Sequence, residues 1–146
     1  RSVLDGGALK PGELPVPGGT DRANYQAAFE LLKQGRYKEA SAALRQFRVA
    51  FPTSSLSDNA QYWLAETQYV SQAYDKALPE FQMVVDKFPE SRKVPDALLK
   101  IGYCNYELKR YDAARKALSA VATSYPETTA ARLANERLER MKTEGV

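Results

Sequence analysis

From about residue 22 to residue 142, apolar side chains recur at steps of three and four, the spacing of a helix with one buried face. Tyr37, Ala40, Leu44, Phe47 and Phe51 fall on one such face. Short polar breaks, among them Gln34-Gly35-Arg36 and Lys109-Arg110, interrupt the pattern. The spacing predicts first helices over 22–34, 58–71 and 95–108, and second helices over 37–51, 74–88 and 111–124. A further helix is predicted near 130–142. Each second helix runs into Phe-Pro or Tyr-Pro. Proline pushes the preceding residue out of helical geometry and so closes the helix. Pro79 lies inside a predicted helix, where it removes a backbone donor and is expected to kink that turn. Pro95 suits the first turn of the helix it opens.

The pattern is also periodic on a longer scale. Shifting the sequence by 37 residues lays Tyr37 on Tyr74 and Tyr111, Ala40 on Ala77 and Ala114, Pro52 on Pro89 and Pro126, and Ala60 on Ala97 and Ala134. Phe51, Phe88 and Tyr125 align before the proline, and Ala28, Ala65 and Gly102 align in the first helix. Small residues at matched positions let two antiparallel helices approach closely. One helix pair cannot bury its apolar stripe alone, so the pairs must stack. The last helix keeps Ala134 and Leu138 but carries Glu136 and Thr143 where earlier copies have apolar or aromatic residues. A polar outer face is what closes a stacked array. The fold predicted is all-α, a right-handed solenoid of three helical hairpins plus a C-terminal capping helix. The repeats fall at about 21–57, 58–94 and 95–130, with the capping helix at about 131–143.

Residues 1–20 differ in kind. They hold five of the eight glycines and three of the eight prolines, including Gly6-Gly7, Pro11-Gly12 and Gly18-Gly19. Such a stretch buries too little surface to fold alone. It reads as a flexible linker, either a disordered tail or, preferably, a tether to an N-terminal domain. Order is expected to begin near Thr20 or Asp21, either of which can cap a helix. The chain does not begin with Met, and it reads as a processed or excised fragment from which a targeting segment has been removed.

A small residue at the eighth position, an aromatic at 17, Ala at 20, a bulky apolar at 24 and Pro at 32 resemble the tetratricopeptide repeat. In the third copy these are Gly102, Tyr111, Ala114, Leu118 and Pro126. The resemblance covers residues 21 to about 143. The usual period is about 34 residues, and the longer period here is similar to that of bacterial envelope members. The usual aromatic three residues after the small position is missing; Leu31, Gln68 and Asn105 stand there, and Tyr69 and Tyr106 follow one residue later. More narrowly, Tyr25-Gln26-Ala27-Ala28, Asn59-Ala60-Gln61-Tyr62-Trp63-Leu64, Phe88-Pro89-Glu90-Ser91 and Asp96-Ala97-Leu98-Leu99-Lys100-Ile101-Gly102 resemble the C-terminal domain of the Tol-Pal system family known as YbgF or CpoB. That resemblance implies a periplasmic protein of cell division. It would bind TolA, have a peptidoglycan synthase as a further partner, and coordinate septal peptidoglycan synthesis with outer-membrane constriction. It also implies an N-terminal coiled coil, not in this chain, through which the full-length protein would form trimers. This chain alone is expected to be a monomer.

In repeats of this type the first helices line a concave groove. Carried over by position, the groove residues are Tyr25, Phe29 and Leu32, then Tyr62, Glu66 and Tyr69, then Leu99, Tyr103 and Tyr106. Tyrosine combines apolar area with a polar tip and few rotors, which suits interfaces. Each ring could instead pack between helices; facing the groove is the preferred reading. Trp63 aligns with the polar Gln26 and Lys100 and is placed either at an edge between repeats or on the rim. Groove charges are mixed, so the expected partner offers an amphipathic or extended segment with apolar anchors.

Composition narrows the function classes. Hydrophobic residues at 44% allow a packed core, and a net charge of +3 without a basic block leaves no footprint for nucleic acid. No apolar run is long enough to insert in a membrane. The chain has no His, the commonest general base and metal ligand. It has one cysteine, Cys104, which reads as a buried filler and has no histidine to activate it. No zinc spacing or phosphate loop is present. The reading is a binding protein, not an enzyme, with no cofactor and no metal. Two rivals stand beside the cell-division scaffold: an outer-membrane protein assembly scaffold with similar long repeats, and a self-association module.

Overall fold

The computed structural model describes residues 3–10 and 12–146; Arg1, Ser2 and Pro11, part of the Gly/Pro segment, lie outside the described residues. Among the described residues, seven α-helices follow a 3-10 turn at Val3–Asp5: α1 (Asp21–Lys33), α2 (Tyr37–Ala50), α3 (Ser57–Val70), α4 (Tyr74–Lys87), α5 (Val94–Glu107), α6 (Tyr111–Ser124) and α7 (Thr129–Glu144). There is no strand among the described residues. The helices lie within a residue or two of the ranges that apolar spacing predicts. The chain divides into two compact units, one ending at Gln72 and one beginning at Ala73. In the first, α2 packs on both α1 and α3. In the second, α5 packs on α4 and α6, and α7 on α6 and α5.

Repetition in sequence becomes repetition in backbone. Phe51, Phe88 and Tyr125 end their helices at nearly one conformation, φ/ψ −130/60, −128/58 and −131/53. Their amides donate to Phe47, Val84 and Val121, which are themselves register equivalents. One turn later, the amides of Ser54, Ser91 and Thr128 donate back to those three aromatic residues. The turn after each first helix needs one left-handed residue. Gly35 supplies it at φ 75, whereas Gln72 and Lys109 adopt φ 61 at the same register. That conformation costs a side chain about 1 kcal/mol that glycine escapes.

The core is made of the matched positions. Ala28, Leu31, Ala40, Leu44 and Phe47 are buried together in the first unit. Ala114, Leu118, Val121, Ala134 and Met141 are buried together in the second. At Gly102 the close approach is tightest: a Cβ there would lie 2.6 Å from Leu118 Cδ2. Asn105, where the family usually has an aromatic, is buried and donates from its side chain to Ile101 O at 3.0 Å. Cys104 is fully buried, as the filler reading expects. α4 runs through Pro79 without a break. Pro79 is exposed, as is Asp75 one turn earlier, so the carbonyl that loses its donor can bond to water. Pro95 stands in the first turn of α5, as predicted. α7 buries Ala130, Ala131, Ala134 and Met141 and turns Arg132, Glu136, Glu139 and Lys142 outward. Its surface pairs include Arg132 with Glu136 at 2.9 Å and Lys142 with Glu139 at 3.9 Å.

Described residues ahead of α1 pack on the helices. Val3 is buried in the core of α1 and α2, and Leu4 and Leu9 pack beside it. Composition argues that this stretch cannot fold by itself. It says nothing against the stretch folding onto a neighbour that already offers an apolar face. Thr20 is the cap of α1, its hydroxyl accepting from Ala23 N at 3.0 Å.

Candidate protein-binding surface

Each unit presents one face shared by two first-type helices, and both faces carry aromatic rings. In the first unit Tyr25 and Phe29 are one turn apart on α1 and lie stacked, 6.2 Å between centroids. Trp63 of α3 meets the edge of Phe29 at 5.2 Å, and Tyr62 meets Trp63 at 5.2 Å. Behind them Phe47 of α2 contacts Tyr25 at 6.3 Å. Edge-to-face and offset contacts at these distances hold rings beyond what area burial alone provides. Burial, which outweighs the hydrogen bond to Trp63, pushes the Tyr25 phenol above its ordinary value.

In the second unit the face is built from α5 and α7. Tyr103 and Tyr106 stand on α5. Arg137 of α7 lies over both, with its guanidinium carbon 4.2 Å from the Tyr103 centroid and 4.7 Å from that of Tyr106. Arg140 lies 5.5 Å from the Tyr106 ring. The Tyr106 hydroxyl donates to Glu144 at 2.5 Å, and Arg140 Nε donates to the other oxygen of that carboxylate at 3.3 Å. The bond to Glu144 holds the Tyr106 phenol up, while the same bond holds the Glu144 carboxyl below its ordinary range. Tyr103 is raised chiefly by burial. Three α7 side chains thus brace two tyrosines, which reduces the rotor freedom a partner would have to freeze.

Seven of the nine groove residues named from the sequence are half-buried: Tyr25, Phe29, Leu32, Glu66, Tyr69, Tyr103 and Tyr106. Tyr62 and Leu99 are not available in that way, at 6% and 4% exposed. Tyr62 is packed against Trp63, and Leu99 belongs to the core with Ala130, Ala131 and Ala134. Positional carry-over assigned Tyr62 and Leu99 to a groove because it counts residues and not the bulk of their neighbours. The same carry-over missed Trp63, Arg137, Arg140 and Glu144. One signal for two of them was present in the sequence. Trp63 and Arg137 occupy the same place in their repeats, two periods of 37 residues apart. In the structure they do the same work, since each covers the ring nine positions into the preceding first helix, Phe29 or Tyr103. Trp63 meets its ring edge-to-face and Arg137 meets its ring through a cation–π contact, and both contacts are favourable to an aromatic ring.

Two models of the tetratricopeptide repeat match the chain, over residues 25–92 and 96–128. The chain belongs to the tetratricopeptide repeat family. Tetratricopeptide arrays are protein-interaction modules, and the two ring-lined faces are the parts of this one suited to that work. Over 60 residues, 41% of this chain, it is 40% identical to the cell division coordinator CpoB of Pseudomonas putida strain KT2440. The same identity holds with a second Pseudomonas putida cell division coordinator CpoB. The match spans 21% of the length of each of those relatives. Among the described residues, no helix of this tetratricopeptide chain is long and apolar enough to cross a membrane.

Proposed function

We propose that this chain is the tetratricopeptide domain of a cell-division scaffold working in the periplasm, within the Tol-Pal system. There it binds TolA and couples peptidoglycan synthesis to outer-membrane constriction. The likeness to the cell division coordinators supports the process, and the repeats support the mode of action. The observation that carries the reading is the braced pair Tyr103 and Tyr106: half-buried rings, held by Arg137, Arg140 and Glu144, on a face two helices share. Such a surface offers apolar contact area and a neutral hydroxyl at low entropic cost. An amphipathic segment of the partner would lay its apolar anchors against the rings and its polar edge toward the Arg140–Glu144 pair.

The test is titration calorimetry of this chain against the periplasmic part of TolA, with the double variant Tyr103→Ala/Tyr106→Ala beside the wild type. The pair is a better choice than Tyr62 and Tyr69, because Tyr62 is buried and its loss would unsettle the fold. An affinity loss of about tenfold or more is expected, the scale of one or two interface anchors. Far-ultraviolet circular dichroism checks that the variant keeps its helices. Unchanged affinity in a folded variant removes this face from the account. A wild-type chain that does not bind TolA removes the partner.

A further inference from the structure

In this fold, one side of each first-type helix is covered by the second helix of the preceding repeat. α3 shows the pattern: Gln61 is 2% exposed and accepts a hydrogen bond from Arg48 of α2 at 2.8 Å. Among the described residues, the segment before α1 holds a 3-10 turn at Val3–Asp5 and no second-type helix. Yet Asn24, which occupies the register of Gln61, is 1% exposed, and Ala27, in the register of Leu64, is also buried. Asn24 is covered by the Gly/Pro segment, whose Val16 it holds.

The segment is held at both ends. At its C-terminal end the Asn24 amide brackets one peptide unit: Val16 N donates to Asn24 Oδ1 at 2.9 Å, and Asn24 Nδ2 donates to Val16 O at 3.0 Å. Asn24 Nδ2 also donates to Thr20 O at 3.0 Å. At its N-terminal end the Arg36 guanidinium donates to Val3 O and to Gly7 O, and Glu39 pairs with it. Val3 is the apolar pin, 5% exposed among Leu31, Ala40 and Leu44. From Asn24 to Lys33 the axis of α1 advances about 14 Å, and Arg36 lies in the turn just beyond, a distance that the chain between Val3 and Val16 can span with slack. The strap can therefore reach both anchors without being stretched.

These side chains are also where the first repeat departs from the others. The register partners of Arg36 and Glu39 are Ala73 with Lys76 and Arg110 with Ala113, neither a pair of opposite charges. Arg110, without a strap to hold, is exposed. Outside the strap, nothing in the helical hairpin requires an arginine–glutamate pair at this place.

We propose that residues 3–10 and 12–19 are the N-terminal end cap of the array, standing on α1 where a second helix stands in interior repeats. The cap closes a helix-binding face that would otherwise be open to a second copy of this chain, since an uncapped solenoid end is sticky by construction. The inference does not depend on which partner the array binds.

The test uses the whole 146-residue chain with Val3→Asp, which puts a charge in the pin while leaving every helical residue in place, and with Asn24→Ala, which removes the bracket. Val3→Ile serves as the conservative control. Cleavage by a glutamate-specific protease after Glu13 reports release of the strap, sedimentation velocity reports self-association, and circular dichroism reports the helices. Release should raise the cleavage rate by about tenfold or more, as a locally opened segment becomes the cleavable state. A concentration-dependent dimer should appear with it, while Val3→Ile behaves as wild type. Cleavage unchanged in both variants overturns the docking. Faster cleavage with sedimentation unchanged overturns the capping role.

Discussion

Replacing Gly102 with alanine tests how tightly the second unit is packed, and the structure sets the size of the effect. The added Cβ would lie 2.6 Å from Leu118 Cδ2 and 2.7 Å from its Cγ. Ordinary carbon contacts are about 3.5–4.0 Å, so Leu118 must retreat by about 1 Å. Leu118 is fully buried and has no solvent to retreat into. Forcing one extra methyl into such a site costs about 1–3 kcal/mol. Alanine offsets about 1 kcal/mol of that through its helix propensity. The net expectation is a loss of about 1 kcal/mol, or a Tm lower by about 3 °C. Urea titration with an unchanged m value measures it. The clash model makes a second, sharper demand. Leu118→Val alone should cost about 1 kcal/mol. Combined with Gly102→Ala it should cost at least about 0.5 kcal/mol less than the two single losses added, because each change relieves the other. A stabilised Gly102→Ala, or strict additivity in the double variant, would refute the reasoning.

Two further outcomes follow from backbone and charge. Lys109→Gly and Gln72→Gly relieve left-handed side-chain residues at φ 61, the place Gly35 fills in the first repeat; each should raise stability by about 0.5–1 kcal/mol in thermal or urea unfolding, and a loss would mean those side chains hold the turn themselves. The Asp21 carboxyl is held below its ordinary range, first by the hydroxyl of Ser54 at 2.6 Å and then by the Arg22 amide. A depressed folded pKa stabilises above the unfolded value, about 3.9, and the benefit fades as pH falls through the folded value. The stability advantage of wild type over Asp21→Asn should thus be present at pH 6 and shrink below about pH 4; an advantage independent of pH would mean the carboxylate's charge plays no part.

The strand-free hairpin architecture was legible along the chain because it rests on short-range rules. Three- and four-residue steps set the helices, Phe-Pro and Tyr-Pro set their ends, and one period of 37 residues set their equivalence. None of these needs distant contacts to decide it. The left-handed turn could be read at Gly35 but not at Gln72 or Lys109, whose conformation is imposed by the hairpins on either side. Site residues fared unevenly for a related reason. Position in the repeat says which way a side chain starts out, and Tyr25, Phe29, Tyr103 and Tyr106 are half-buried. Only tertiary packing decides whether that direction ends in solvent or against a neighbour, and it buried Tyr62 and Leu99. It also recruited Arg137, Arg140 and Glu144 from a helix read as a mere cap. The Gly/Pro segment shows the limit most plainly. Its own composition cannot support folding, but Asn24 meets Val16, and Arg36 meets Val3 and Gly7, once α1 and α2 exist, and the ordering cost is then met by a surface the segment does not itself contain.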